Sequence, residues 1–231
     1  MNLLRLENFP IWEQLKLEEA LVRTDKRNWC IINSGSPQAI VMGISGKPEQ
    51  LIDLNRLSRY PVPVIKRFSG GGTVVVDQDT LFVSFICQHG TVPVHPYPQD
   101  IMRWTSQFYR PLLEGFDLRE NDYVLGNTKF GGNAQYLRKD CWLHHSTLLW
   151  DYQAANMEYL TLPSRRPNYR QSRPHSDFLC KLKDYLPCRH DFLKSFCLQL
   201  SIHFDVVPIE LEEVISVTER THRQATELCE L

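Results

Sequence analysis

The spacing of apolar and polar residues in the first part of the chain predicts one helix followed by short strands. Residues 11–23 place Ile11, Leu15 and Leu21 near one helical face, with acidic residues between them. This period is typical of an amphipathic helix. Short apolar runs and a three-residue leucine spacing then predict two strands and a short helix, at 29–32, 39–42 and 51–57.

β-branched and aromatic residues dominate the next segment, which is typical of strands. We predict a strand at 64–68 and a pair of strands at 73–76 and 81–87 that hydrogen-bond to each other. A proline-containing loop then leads to a predicted helix at about 100–113.

In the second half of the chain, strands and helices do not alternate regularly. The predicted elements are strands at 122–125 and 145–150, a glycine-containing loop at 126–134, a basic loop at 163–174, and two or three helices from about residue 177 with a short strand near 206–207. This mixture predicts the α+β class, with a central mixed β-sheet flanked by helices.

Composition excludes several classes of protein. The 231 residues are 42% hydrophobic and 23% charged, which is typical of a globular chain with one good-sized core. A formal net charge of −1 gives no overall electrostatic attraction to nucleic acid. No apolar run approaches the ~18 residues of a membrane span. The first fifteen residues carry charges and lack the apolar core of a signal peptide.

The cysteines favour a reducing compartment. There are seven of them, an odd number, with irregular spacing and no CxxC pair. This pattern argues against a disulfide framework and against a zinc site. We therefore predict a cytoplasmic location, with an organelle left open.

A run of three glycines marks the first candidate site, in KRFSGGGTVV at residues 66–75 of the chain. Gly70 to Gly72 allow a ligand to approach the backbone closely and offer N–H groups to an anion. Arg67 adds a positive charge and Ser69 a hydroxyl group. A ligand-binding loop and a plain turn between two strands explain this pattern equally well.

A second glycine segment, GNTKFGGNAQ at residues 126–135, carries a single lysine, Lys129. A lysine beside glycines suits a phosphate or a developing oxyanion. An exposed hairpin turn with a solvated lysine is the alternative.

His144 and His145 are adjacent, so on a strand they point to opposite faces. Only one of them is expected to face a ligand, and a shared metal would need a sharp bend. Cys141 precedes them and is either an activated thiol or a buried structural residue.

Four arginines occupy the basic loop, at positions 165, 166, 170 and 173. They are too few for a nucleic-acid surface in a chain of neutral charge. They indicate either a loop that covers an anionic substrate or a solvated basic loop.

Four motifs in one order give a resemblance to a known family. They are KRFSGGGTV at 66–74, ND at 121–122, KFGGNA at 129–134 and HHSTLL at 144–149. Together they resemble the lipoate–protein ligase A family, within the larger biotin/lipoate protein ligase superfamily. The similarity covers about residues 1–190.

The resemblance implies ligation of lipoate, or a related medium-chain acid, to a protein lysine. ATP would activate the acid as an acyl-adenylate with loss of pyrophosphate, and Mg²⁺ would accompany ATP. The implied partners are lipoyl domains of 2-oxoacid dehydrogenase complexes or the glycine cleavage H protein. A separate accessory-domain protein is a further candidate partner, whereas nucleic acid and membranes are not expected.

The resemblance also assigns roles to residues. Lys129 matches the family's essential lysine and is the expected catalytic residue. The expected lipoate-binding residues are Arg67, Ser69, Gly70, Gly71, Gly72 and His145. The expected nucleotide-binding residues are Thr73, Val74, Asn121, Asp122, Lys129, Gly132 and Ala134. Asp122 is also the expected Mg²⁺ ligand.

Longer members of the family carry an accessory C-terminal domain. We expect a catalytic domain at residues 1–190 here, closed by a C-terminal helical segment at 191–231, with no full accessory domain. One alternative is a cofactorless octanoyl or lipoyl transferase that forms a thioester on Cys141. A non-catalytic binding protein that keeps the pocket is another, and a biotin ligase matches the first glycine motif less well.

Overall fold

A computed structural model describes residues 1–162 and 166–231. The strands are β1 (Asn2–Glu7), β2 (Trp29–Ser34), β3 (Ala39–Met42), β4 (Val64–Lys66), β5 (Val74–Val76), β6 (Thr80–Gln88), β7 (Phe116–Arg119), β8 (Asp122–Leu125), β9 (Thr128–Leu137), β10 (Cys141–Leu149), β11 (Val207–Ile209) and β12 (Glu227–Leu228). The α-helices are α1 (Ile11–Thr24), α2 (Pro48–Leu51), α3 (Leu54–Arg59), α4 (Pro98–Tyr109), α5 (His175–Phe178), α6 (Arg189–His203) and α7 (Leu211–Val214). Short 3₁₀ turns lie at Arg110–Leu112, Ala154–Tyr159, Asn168–Arg170, Leu182–Asp184 and Ile215–Glu219.

The strands form two sheets. The larger sheet has the order β11-β1-β2-β6-β10-β9-β8-β7, and the smaller has the order β12-β4-β3-β5. β1 runs parallel to β2 and β11, and β3 runs parallel to β4, while the other pairs are antiparallel. These mixed sheets flanked by helices confirm the predicted α+β class.

Helix α1 joins the two sheets, because its apolar face meets both of them. Near its start, Ile11 and Leu15 pack with Val41 of the smaller sheet. Further along, Leu17 and Leu21 pack against the larger sheet. The hydroxyl of Ser36 accepts a hydrogen bond from the first backbone N–H of the helix at 3.0 Å, which fixes where it begins.

Helices α4 and α6 cover the opposite face of the larger sheet. Their contact is aromatic, with the ring centroids of Phe108 and Phe196 5.0 Å apart. Both rings also pack on Phe85 of β6. Aromatic pairs at this separation add to the free energy of apolar burial, so α6 belongs to the main core.

The C-terminal segment at 191–231 contains two strands, where the sequence predicted helices and a single short strand. β11 extends the larger sheet beside β1, close to the predicted position. β12 pairs with β4 at the edge of the smaller sheet, which the sequence did not predict. The buried carboxylate of Glu19 accepts the backbone N–H groups of Ala225 and Thr226 and so holds the chain before β12.

Two predictions from the sequence were wrong. The strands at 73–76 and 81–87 do not pair with each other. β5 pairs with β3, whereas β6 lies between β2 and β10, because the Asp77–Thr80 turn carries the chain from one sheet to the other. The predicted glycine loop at 126–134 is mostly strand β9. A Cβ on Gly131 would lie 3.0 Å from the side chains of Tyr123 and Leu148, so glycine serves close packing there.

Smaller differences concern where elements end. The helix predicted at 51–57 is two short helices, α2 and α3, and Asp53 caps the second by accepting the N–H of Arg56 at 3.0 Å. In the basic loop, residues 163–165 lie outside the described residues. No helix in the described part of the chain is both long and apolar enough to span a membrane.

Candidate active site

A cavity of about 490 Å³ lies between the two sheets. Strands β6, β9 and β10 form its floor, while α1 and the loop that contains the three glycines form its roof. The segment from residue 166 to residue 179 closes one side. Sequence motifs that lie far apart in the chain therefore meet around one space.

One end of the cavity is apolar and the other is cationic. Ile11, Leu15, Val41 and Phe82 line the apolar end, at the junction of α1 with the sheets. Lys129, Arg166 and Arg170 lie among the residues of the other side. Such a space suits an elongated ligand with an apolar chain and an anionic head.

Lys129 projects into the cavity from β9. Its ammonium nitrogen lies 2.7 Å from Oδ1 of Asp122, on the neighbouring strand β8. The side chain passes over Gly132, where an added Cβ would lie 3.4 Å from the lysine nitrogen. A β-bulge between Tyr123 and Val124 interrupts the register of the two strands near this pair. Lys129 is therefore held in place, unlike the solvated lysine of the alternative interpretation.

Both carboxylate oxygens of Asp122 have a partner within the protein. Oδ1 meets the ammonium of Lys129, and Oδ2 accepts the hydroxyl of Tyr169 at 2.8 Å. Burial, together with the neighbouring carboxylate, raises the pKa of Tyr169, so the phenol stays protonated and donates.

These contacts do not fit Asp122 as a resident magnesium ligand. An ammonium and a phenol already occupy its oxygens, and the described residues contain no cluster of three His, Cys, Asp or Glu side chains arranged for a metal. Magnesium usually binds through one or two carboxylates plus substrate phosphates. Magnesium carried on a nucleotide therefore stays a prediction.

Arg67 supports the first glycine loop from within. Its buried guanidinium donates to the carbonyl oxygens of Gly70 at 2.7 Å and Gly72 at 3.0 Å, and to Oγ of Ser69 at 3.1 Å. Burial lowers the pKa of Arg67 to about 10, so the group is still charged at neutral pH. The contacts of this arginine give it a scaffolding role in the loop.

Gly71 is the glycine of this loop that the backbone requires. Its φ is +102°, a conformation that residues with side chains rarely adopt. A Cβ there would lie 2.6 Å from a guanidinium nitrogen of Arg67 and 3.1 Å from Cβ of Ala134. A Cβ added at Gly70 or at Gly72 would meet open space.

His145 links the glycine loop to helix α1. Its Nε2 lies 3.1 Å from Oγ of Ser69, and its Nδ1 lies 3.0 Å from Oε2 of Glu18. The fully buried Glu18 also accepts the hydroxyl of Ser84 at 2.6 Å and the amide of Gln14 at 2.8 Å. The sequence analysis missed Glu18; its four-residue spacing from Gln14 on the otherwise apolar face of α1 was the available signal.

The order hydroxyl–imidazole–carboxylate resembles that of a nucleophilic triad. However, Ser69 is fully buried and does not line the cavity, and its oxygen already accepts a hydrogen bond from Arg67. A substrate cannot reach that oxygen, so the three groups lock the loop onto the sheet.

His144 faces away from the cavity, on the face of the strand opposite His145, and the alternation along a strand predicted that the two would be on opposite faces. It is fully buried, and its ring nitrogens contact the hydroxyl of Tyr123 and the amide of Gln135, each at 3.1 Å. Burial lowers its pKa to about 3, so the ring is neutral. The two histidines lie on opposite faces and do not share a metal.

Cys141 lies outside the cavity. It is buried against α1, and its thiol donates to the carbonyl oxygen of Val22 at 3.4 Å. Burial raises the pKa of the thiol to about 11, so the nucleophilic thiolate is not populated at neutral pH. It precedes His145 by four residues on β10, or about 13 Å at the usual rise per residue. This geometry gives no support to the thioester hypothesis.

The structure brings most of the predicted site residues to the cavity. The lining includes Arg67, Gly71, Gly72, Thr73, Val74, Asn121, Asp122, Lys129, Gly132, Ala134 and His145. Ser69 and Gly70 lie behind this lining and support it. The ligand contacts assigned to these residues by resemblance remain predictions.

The described part of the basic loop is tied to the turns before and after β8. The carboxylate of Glu120 accepts the backbone N–H of Asn168 at 2.7 Å. Arg173 donates to the carbonyl oxygens of Asn127 and Tyr169, each at 2.8 Å. Arg170 lines the cavity, whereas Arg173 does not. The loop thus presents part of its positive charge to the site.

Comparison with known proteins identifies the family. The sequence model of the lipoyl protein ligase A/B catalytic domain matches residues 10–203. The chain belongs to this family, which confirms the resemblance seen in the four motifs.

Two curated relatives are each 28% identical to this chain within the aligned region. The inactive lipoate–protein ligase 2 of Plasmodium falciparum is 28% identical, over 80% of this chain and 63% of that protein. A probable lipoate-protein ligase A of Mycoplasma genitalium is 28% identical, over 76% of this chain and 52% of that protein. The chain thus spans between about half and two thirds of the length of these relatives.

Solved structures share the fold. Lipoate-protein ligase A bound with ATP superposes with a TM-score of 0.75 at 18% identity, covering 94% of this chain and 92% of that one. The bipartite lipoate protein ligase of Thermoplasma acidophilum, described with its E2 lipoyl domain, also gives 0.75 at 18% identity, covering 94% and 90%.

Proposed function

We propose that this protein ligates lipoate, or a related medium-chain acid, to a lysine of an acceptor lipoyl domain through an acyl-adenylate. The observation that carries the proposal is the position of Lys129, whose ammonium is fixed by Asp122 in a cavity with an apolar end and a cationic end. Membership of the ligase family supports it. So do related folds described with bound ATP and with bound lipoic acid.

In the first step, a carboxylate oxygen of the acid attacks the α-phosphorus of ATP and the bond to pyrophosphate breaks. Negative charge develops on the α-phosphate oxygens. An ammonium already in place stabilises that charge without reorganisation. Lys129 is the group for this role, because Asp122 restricts the rotation of its long side chain.

In the second step, the amine of the acceptor lysine attacks the acyl carbon, an amide bond forms and AMP leaves. The proposed contribution of the protein is to hold the reactants together and to exclude water. The loop braced by Arg67 and the segment that carries Tyr169 enclose the cavity where the mixed anhydride would lie.

A second candidate follows from one relative. The Plasmodium falciparum protein, similar over 80% of this chain, is described as inactive. A chain that binds or activates the acid without completing ligation is therefore the competing proposal. The thioester route through Cys141 is weaker, because that thiol is buried outside the cavity.

The deciding experiment is intact mass spectrometry of an apo lipoyl domain after incubation with the protein, ATP, Mg²⁺ and lipoate. Parallel reactions omit ATP, replace ATP and lipoate with an octanoyl thioester, or use Cys141→Ser. An H protein and a dehydrogenase E2 lipoyl domain serve as alternative acceptors.

Lipoylation that requires ATP and survives Cys141→Ser supports the ligase. Pyrophosphate release without a change in acceptor mass supports an activating domain that needs a partner for transfer. Acylation from the thioester alone, lost in Cys141→Ser, contradicts both proposals.

A further inference from the structure

Arg170 is a buried cation that has no carboxylate partner among the residues that the structure describes. Only 4% of its surface is exposed, although it lines the cavity. Within residues 1–162 and 166–231, no Asp or Glu oxygen lies within ion-pair distance of its guanidinium. Burying a charge without a counterion costs free energy, so the position of Arg170 calls for a physical explanation.

Its guanidinium is only partly satisfied by hydrogen bonds. Nε donates to the carbonyl oxygen of Arg173 at 3.2 Å, while one terminal nitrogen is buried and has no partner in the described residues. The ring of Phe178 lies beneath it, 4.7 Å from the guanidinium carbon. This stacking fixes the plane of the group and leaves donors free.

Neighbouring charges do not neutralise Arg170. Lys129 and Asp122 cancel each other as a close pair at 2.7 Å. Arg166, which also lines the cavity, adds positive charge. Burial, followed by the charge of Arg166, lowers the pKa of Arg170, although the nearby carboxylate of Asp122 acts in the opposite direction. Three cations (Lys129, Arg166 and Arg170) and two carboxylates (Glu120 and Asp122) line this side of the cavity, so a net positive charge remains.

We infer that Arg170 binds the phosphate group of the activated ligand, with its free guanidinium nitrogen directed at a phosphate oxygen. The inference rests on the proposed function, because it concerns the phosphate of the ATP-derived intermediate. Guanidinium groups suit phosphate because their donors form a planar fork. Lys129 then stabilises charge at the reacting atoms, while Arg170 supplies the net charge for phosphate affinity.

The placement of Arg170 links phosphate binding to the basic loop. The residue lies at the end of a 3₁₀ turn whose Tyr169 holds Asp122. A phosphate bound to Arg170 therefore bridges the loop and the strands that carry the Lys129–Asp122 pair.

The test is isothermal titration of the protein with AMP, adenosine and inorganic pyrophosphate. The variants are Arg170→Met, which keeps an apolar stem over Phe178, and Arg170→Lys, which keeps the charge without the fork. Arg173→Met is the matched control, because Arg173 holds the same loop through backbone carbonyls but does not line the cavity. Circular dichroism checks that each variant is folded.

We expect Arg170→Met to lower the affinity for AMP by about 10- to 100-fold, the range for a lost charged hydrogen bond. The affinity for adenosine should not change. Arg170→Lys should recover part of this loss, and Arg173→Met should keep the preference for AMP over adenosine. An unchanged preference in Arg170→Met overturns the inference, as does an equal loss in Arg173→Met.

Pyrophosphate separates this inference from the proposed function. Binding of pyrophosphate that depends on Arg170, with no binding of adenosine, supports the anion site and argues against the use of a nucleotide. A wild-type protein that binds neither pyrophosphate nor AMP overturns the inference, and the acceptor-mass experiment then decides the proposed function alone.

Discussion

The hydroxyl of Tyr169 donates to Oδ2 of Asp122 at 2.8 Å, which connects the basic loop to the carboxylate that holds Lys129. Two segments 47 residues apart in sequence therefore share one hydrogen-bonded unit. The position of the lysine depends on the loop as well as on its own strand.

Tyr169→Phe removes this hydrogen bond and keeps the ring, whose centroid lies 5.3 Å from that of Phe178. We expect ligation to slow by about 3- to 10-fold, the range for one lost hydrogen bond. Steady-state acceptor lipoylation measures the effect. Tyr60→Phe, at an exposed tyrosine, is the control and should not change the rate. An unchanged ligation rate in Tyr169→Phe would show that the Lys129–Asp122 pair keeps its position without the hydrogen bond from the loop.

The glycines of the first loop should differ in their tolerance of alanine. Gly71→Ala strains a φ of +102° and brings a methyl group within 2.6 Å of the Arg67 guanidinium. We expect a loss of at least ~1–2 kcal/mol in the free energy of unfolding. Gly70→Ala meets open space and should stay within ~0.5 kcal/mol of the wild type. Urea denaturation compares the two, and equal losses would contradict the structure of the loop.

Glu18→Gln tests the buried link between α1 and the glycine loop. The carboxylate of Glu18 accepts hydrogen bonds from three side chains. The NH₂ group of a glutamine would instead face one of these donors and lose that hydrogen bond. We expect a loss of about 2–4 kcal/mol in the free energy of unfolding. Glu13→Gln is the control on the same helix, where a half-exposed ion pair with Lys16 contributes less than ~1 kcal/mol. A Glu18→Gln protein as stable as this control would count against the link.

His144 should make the protein less stable as the pH falls. Its pKa is about 3 in the fold, compared with 6.5 as the ordinary value, so the unfolded chain binds the proton first. The contribution of neutral His144 to the free energy of unfolding is complete above pH 6.5. It is lost as the pH falls towards 3, at up to ~1.4 kcal/mol per pH unit.

Urea denaturation at several pH values measures this slope. His144→Gln, which cannot titrate, should be less stable at neutral pH but should vary less between pH 6.5 and pH 4. The same slope in both proteins would assign the acid sensitivity to other groups.

Sequence patterns predicted local structure well where a single period dominated. The apolar face of α1 was correct, and so was the alternation along β10 that puts His144 and His145 on opposite faces. That His145 is the one at the cavity followed from the family resemblance. These features depend on the side-chain direction within one element, which local sequence determines.

Long-range relationships were not predictable in the same way. Nothing in the runs at 73–76 and 81–87 specifies that they join different sheets, and β12 has only two residues. The second glycine segment resembles a loop because a strand glycine needed for close packing and a turn glycine look alike in sequence.

In the candidate site, too, features set by local sequence were predictable and features set by long-range contacts were not. Lys129 and the glycine motifs were identifiable because they form compact sequence signals. Glu18 and Tyr169 were missed because they act through contacts with residues distant in sequence. Arg170 was noted only as one of several loop arginines, and its burial was visible only in the fold.

The central claim is that Lys129 activates the bound acid, and lipoate-dependent ATP–pyrophosphate exchange tests it most directly. This assay needs no acceptor, so it isolates the first chemical step. The comparison is between Lys129→Met and Lys139→Met, because Lys139 is an exposed lysine that follows the same strand. We predict exchange that requires lipoate, a loss of about 100- to 1,000-fold in Lys129→Met, and normal exchange in Lys139→Met. Exchange that persists in Lys129→Met would contradict the account.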